Sequence, residues 1–171
     1  MVTHPVVDWR CKETMQFVDA ATGADRTEVV DWRTALQLKV AVSRPRPCGY
    51  WLGPGQGAAA NKLQALGVTV KAIGQERKAV VEAYRVLTEK GGQRMDARGA
   101  IAASTAIREV TVALDKTTLT LPAGGWYVGL DQAMGGVIAA ALEPDSQNSY
   151  TANHVMAIDE KALLRVLQFM D

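Results

Sequence analysis

Few side chains in this sequence could do chemistry, and histidine is the scarcest of them. The chain has two histidines, His4 and His154. A zinc site built from histidine needs ligands at close spacing on an ordered element, and neither histidine has a Glu or His at such an offset. Asp159 and Glu160 can approach His154 only across a turn. The sequence therefore predicts no metal ligands, and we interpret His154 as a polar residue at the end of a strand.

Nucleophilic catalysis has equally little support. Ser104, Ser146 and Ser149 lack the Gly-x-Ser-x-Gly turn that exposes a catalytic serine, and no neighbouring residue class indicates an oriented base. The two cysteines, Cys11 and Cys48, are too few for a disulfide framework. We interpret both as buried, inert thiols. The chain is expected to carry no catalytic residues and to be no enzyme by itself.

The best candidates for ligand binding precede two predicted helices. They are Gly53, Gly55, Gln56, Gly57, Asp131 and Gln132. Free amides and the helix dipole favour an anion at a helix N-terminus, and open sheets bind ligands where strands run into helices. The glycine spacing matches neither the dinucleotide fingerprint nor a Walker loop. A structural turn at residues 53–57 and helix caps at residues 131–132 are therefore the competing interpretation.

A strand–helix–strand unit over residues 48–73 would position the first candidate. An apolar run at residues 48–52 leads into a segment in which Ala59, Leu63 and Leu66 share one helical face. Gly67 is expected to end this helix in a left-handed conformation. The apolar run at residues 68–70 then returns as a strand, and so short a connection predicts that the two strands are parallel.

A second helix over residues 132–142 would position the other candidate. Its predicted apolar stripe consists of Met134, Val137, Ile138, Ala141 and Leu142. Asp131 is expected to cap the first turn, and Pro144 to end the helix by restricting Glu143. Gly135 and Gly136 inside the helix indicate that another backbone passes close by.

The remaining segments predict an antiparallel framework. Alternating residues at 14–19, 36–42 and 107–114 indicate strands, and residues 117–121 form another strand after a tight turn at Asp115-Lys116. Residues 80–87 have helical spacing, but their β-branched content favours a strand. The pentapeptide Val-Val-Asp-Trp-Arg occurs at residues 6–10 and 29–33, on either side of a turn signal at residues 22–25. Residues 161–170 fit either a strand or a short helix. The predicted fold class is α/β, a mixed α and β structure with a single mixed sheet and two helices.

Composition sets broader limits on function. A chain of 171 residues with 48% apolar residues is expected to form a single domain over 1–171. Its formal charge of +1 favours neither nucleic acid nor an anionic membrane as a partner. The sequence has no apolar run long enough to span a membrane and no signal-peptide layout at its start, and its compartment stays unassigned.

Several segments in order along the chain resemble the region that follows the catalytic domain in some bacterial zinc carboxypeptidases of the carboxypeptidase A type. These segments are residues 43–52, 66–70, 121–128, 131–132 and 141–150. The resemblance covers roughly residues 29 to 156, in ordered blocks. It departs from the related tails at Ala133, where those sequences tend to have proline after the glutamine.

The resemblance implies an accessory role. That family uses a zinc ion held by His-x-x-Glu and a later His, with an arginine for the substrate carboxylate and a glutamate as base. Val7 and Ala157 stand where the motif would need glutamate after His4 and His154. The implied function is a noncatalytic C-terminal domain whose partner is the catalytic domain of the same polypeptide, which would hold the zinc. Homo-oligomer formation is left open, and the alternative is a stand-alone small-ligand or anion-binding α/β module.

Overall fold

The computed structural model describes residues 11–32, 40, 42–96, 99–101 and 106–170. The chain divides into two compact units, one formed by Met1–Arg44 with Asp96–Gly99 and the other by Pro45–Met95 with Ala100–Asp171. The prediction of one domain stays a prediction. Within the described residues, no helix is long and apolar enough to cross a membrane.

The described part of the first unit contains a β-hairpin. Strands β1 (Cys11–Val18) and β2 (Asp25–Trp32) pair antiparallel, and β1 contains most of the strand predicted at residues 14–19. The Asp19 carboxylate organises the turn by accepting hydrogen bonds from the Ala21 amide and from the amide and hydroxyl of Thr22. These bonds lower the pKa of Asp19, and the bond from the Thr22 amide has the largest effect. The first copy of the pentapeptide and most of the predicted strand 36–42 lie outside the described residues.

The second unit is built around a six-stranded sheet. Its elements in chain order are β3 (Gly49–Leu52), α1 (Gly57–Ala65), β4 (Lys71–Ala72), β5 (Arg77–Gly92), β8 (Ile107–Leu121), β9 (Trp126–Gly129), α2 (Gly135–Leu142) and β10 (Leu163–Met170). The strand order is β4-β9-β3-β10-β5-β8, and every neighbouring pair is antiparallel. The short strands β6 (Met95–Asp96) and β7 (Gly99–Ala100) form a separate pair.

The α/β fold class is confirmed, but the predicted strand–helix–strand unit is assembled differently from the expectation. Strands β3 and β4 run in the same direction without pairing, because β9 lies between them and is antiparallel to both. Residues 68–70 are a connector instead of a strand, and buried Val68 donates its amide hydrogen to the Leu63 carbonyl at the end of α1. The end of α1 is as predicted, since Gly67 has a φ of +82°.

The predicted turn at Asp115-Lys116 is wrong. Strand β8 continues through both residues, which pair with Ala83 and Glu82 of β5. Because β8 lies at the edge of the sheet, these polar side chains remain in solvent without interrupting the strand. Asp115 instead forms an exposed ion pair with Arg85, at 2.7 Å. The strand prediction for residues 80–87 is confirmed by β5.

Alternate strand residues divide the buried apolar side chains into two clusters. Tyr50 and Leu52 belong to the cluster that both helices join, whereas Trp51 belongs to the other. Helix α1 contributes Leu63 to the first cluster and α2 contributes Ile138, together with neighbours on the same helical faces. The sheet therefore buries both faces of its central strands.

Helix α2 starts later than predicted. It begins at Gly135 after an N-cap at Met134 that makes no side-chain capping bond, so the capping role predicted for Asp131 is wrong. Val137 is 38% exposed although it was expected on the buried stripe, whereas the three later members of that stripe are buried. The expected close backbone contact exists at Gly135, where an added Cβ would lie 3.1 Å from the Leu130 carbonyl oxygen, but not at Gly136.

The last segment of the chain is a strand and lies in the middle of the sheet. Strand β10 pairs with β3 on one side and β5 on the other. Its residue Arg165 stands opposite Tyr50 of β3 and Glu82 of β5. This row across three strands brings polar side chains into the interior.

We predict that Gly53→Ala destabilises the protein by about 1–3 kcal/mol or more, because overpacking displaces backbone. A Cβ at residue 53 would lie 1.8 Å from the Lys161 carbonyl oxygen. Gly55→Ala is the matched control, since a Cβ there meets nothing within 4 Å. Urea unfolding followed by tryptophan fluorescence measures both, and equal stabilities of the two variants would contradict the close approach.

Candidate functional site

The structure separates the two groups of predicted ligand-binding residues. Leu52 pairs with Trp126 at one end of the β3–β9 pair, and Gly49 pairs with Gly129 at the other. Residues 53–57 follow the first end, and residues 131–132 follow the second. The two segments therefore lie beyond opposite ends of these strands, because antiparallel strands place their C-termini apart.

The glycine-rich segment makes a turn that the packing requires. Gly53 is buried, and its amide donates to the Ala162 carbonyl at 2.9 Å. The Gln56 amide donates to the Gly53 carbonyl at 2.9 Å and closes the turn. Gln56 then takes the N-cap position of α1 without a side-chain capping bond. Gly57 faces the Trp126 ring, with 3.5 Å between the ring and an added Cβ.

The Gln132 side chain connects two segments of the chain by hydrogen bonds. Its Oε1 accepts a hydrogen bond from the Thr69 amide at 2.8 Å, and its Nε2 donates to the carbonyls of Gly129 at 2.8 Å and Thr69 at 3.2 Å. These bonds hold the connector after α1 against the end of β9. Asp131, its neighbour, is exposed. The structure thus gives Gln132 a role in the fold and leaves Asp131 at the surface.

Two further candidate side chains, those of Cys48 and His154, are at the surface. Cys48 is a free, exposed thiol, with its sulfur 3.0 Å from the Leu167 carbonyl oxygen, so the prediction of a buried Cys48 is wrong. The Cys11 side chain lies outside the described residues. His154 is exposed, has a φ of +59° and lies in a turn instead of at a strand end. Among the described residues, no group of three or more His, Cys, Asp or Glu side chains is placed to hold a metal ion.

The most unusual chemistry in the second unit is a buried group of charged and phenolic side chains, here named the Arg165 cluster. Its members are Tyr50, Glu82, Tyr84, Glu143 and Arg165. The register of β3, β10 and β5 places Tyr50, Arg165 and Glu82 in one row, and Tyr84 shares a strand face with Glu82. Glu143 reaches this row from the C-cap of α2.

Arg165 is enclosed by oxygen atoms. Its Nη1 pairs with Oε2 of Glu82, and its Nη2 donates to the Pro45 carbonyl. Its Nε lies 3.1 Å from Oε1 of Glu143, which also accepts the Tyr50 hydroxyl at 2.7 Å. Arg165 and Glu143 are each only 1% exposed. Such burial of charge is tolerated only where opposite charges and hydrogen bonds replace water.

The environment of the Arg165 cluster keeps its two phenols neutral. Burial raises the pKa of Tyr50 most, and the Glu143 charge and its hydrogen bond raise it further. Burial and then the Glu143 charge likewise raise the pKa of Tyr84. Both hydroxyls therefore keep their protons at neutral pH. The arrangement orders three strands and a helix end, since its charges contact one another inside the fold.

Sequence reasoning missed this cluster, although two local signals mark it. Arg165 is the one charged residue within the apolar run 162–167, and Glu143 ends the apolar helix α2. A charged residue in an otherwise buried element needs a partner of opposite charge. That rule would have pointed to both residues, but the pairing itself depends on strand order, which the sequence leaves open.

Comparisons with known proteins add no family assignment. A scan against family models and searches of curated proteins and solved structures found no match to this chain.

We predict that Arg165→Met destabilises the protein by roughly 3–5 kcal/mol, because the change leaves buried carboxylates without their cation. Arg85→Met is the matched control, since it breaks a pair whose side chains are 59% and 54% exposed. Exposed pairs contribute little to stability, because solvent screens their charges. Chemical unfolding measures both losses, and a loss for Arg165→Met no greater than that for Arg85→Met would contradict a buried cluster.

A second prediction concerns alkaline pH. Burial raises the pKa of all four tyrosines in the folded protein, whereas an unfolded chain ionises tyrosine near about pH 10. The folded state then holds protons that the unfolded state releases. The free energy of unfolding should therefore fall as pH rises above about 10.

The matched variant for the alkaline experiment is Tyr50→Phe. Removing one raised pKa should make the decline of unfolding free energy with pH shallower than in the wild type. Tyrosinate absorption and urea unfolding at several pH values measure this. Identical slopes for the two proteins would show that Tyr50 ionises as readily in the folded state as in the unfolded chain.

Proposed function

We propose that this chain is a noncatalytic accessory domain of a zinc carboxypeptidase-like protein, which packs on or modulates the peptidase domain of the same polypeptide. The observation that supports this most directly is the location of the residues behind the resemblance. Segment 43–52 supplies Pro45 and Tyr50, and segment 141–150 supplies Glu143. Oxygen atoms of Pro45 and Glu143 contact Arg165, and the Tyr50 hydroxyl donates a hydrogen bond to Glu143.

The other segments of the resemblance also make contacts within the second unit. Thr69, in segment 66–70, is the hydrogen-bond partner of Gln132 in segment 131–132. Gly125, in segment 121–128, approaches the Leu52 carbonyl so closely that an added Cβ would lie 2.7 Å from it. A shared pattern of this kind supports a shared scaffold. On this proposal the peptidase chemistry and the zinc belong to the catalytic domain.

The alternative, a stand-alone anion-binding module, has weaker support. It depended on strand-to-helix crevices formed by residues 53–57 and 131–132. Those segments lie beyond opposite ends of β3 and β9, and the Gln132 amide already makes three internal hydrogen bonds. The two segments therefore do not converge on a common anion.

The proposal predicts that the native gene product is longer than 171 residues and contains zinc. A purification tag added at the 3′ end of the native gene would recover that product for mass spectrometry and metal analysis. We expect it to release C-terminal amino acids from peptides, and a zinc chelator to abolish this activity. The 171-residue chain alone is the control and should release none.

Two outcomes would contradict the proposal. One is a native product of 18.4 kDa, the mass of the chain by itself. The other is peptide hydrolysis by the isolated 171-residue chain. Thermal unfolding with phosphate and nucleotides would assess the alternative, because a saturable rise in the midpoint temperature would indicate an anion site.

A further inference from the structure

We draw no further inference here: the strongest candidate, the outer edge of strand β8, has Arg108 and Lys116 on one face and Glu109 and Asp115 on the other, so antiparallel pairing with a second copy brings no opposite charges together, and nothing in the structure shows what else covers this edge.

Discussion

The burial of the Arg165 guanidinium is the interaction on which the rest of the second unit depends. A guanidinium removed from water loses hydration energy that only well-placed oxygen atoms can replace. Here those oxygen atoms come from distant parts of the chain: Glu82 of β5, Glu143 at the end of α2 and the carbonyl of Pro45 ahead of β3. All three must be in place together, so the charge links assembly of the sheet to docking of the helix.

The Arg165 cluster also constrains strand register. Side chains alternate between the faces of a strand, so a shift of β10 by one residue would move Arg165 to the opposite face and separate it from Glu82 and Glu143. Apolar side chains discriminate less between registers, because Leu163, Leu164 and Val166 are all buried on one face or the other. We interpret the buried charge as a source of register specificity more than of net stability.

Sequence reasoning succeeded where local physics decides the outcome. Helix α1 and its end at Gly67 follow from periodicity and from the left-handed conformation that glycine adopts without strain. It failed where tertiary contacts override local signals. Asp115 and Lys116 have turn-like polarity, but an edge strand accommodates them. The placement of β9 between β3 and β4, and hence the separation of the two candidate binding segments, depends on pairing between residues distant in sequence.

The same reasoning explains why glycine and amide residues suggested a ligand. Gly53 lets the backbone approach another chain segment, and Gln132 supplies hydrogen bonds to groups that would otherwise be unpaired. A ligand site needs these same two properties, so residue type alone does not show whether such a residue contacts a ligand or a neighbouring part of the chain. The contacts show that both residues have a structural role, because their partners are backbone atoms of this chain. If the domain acts on a partner, the residues of the resemblance therefore act by maintaining its shape, and recognition falls to side chains outside those contacts.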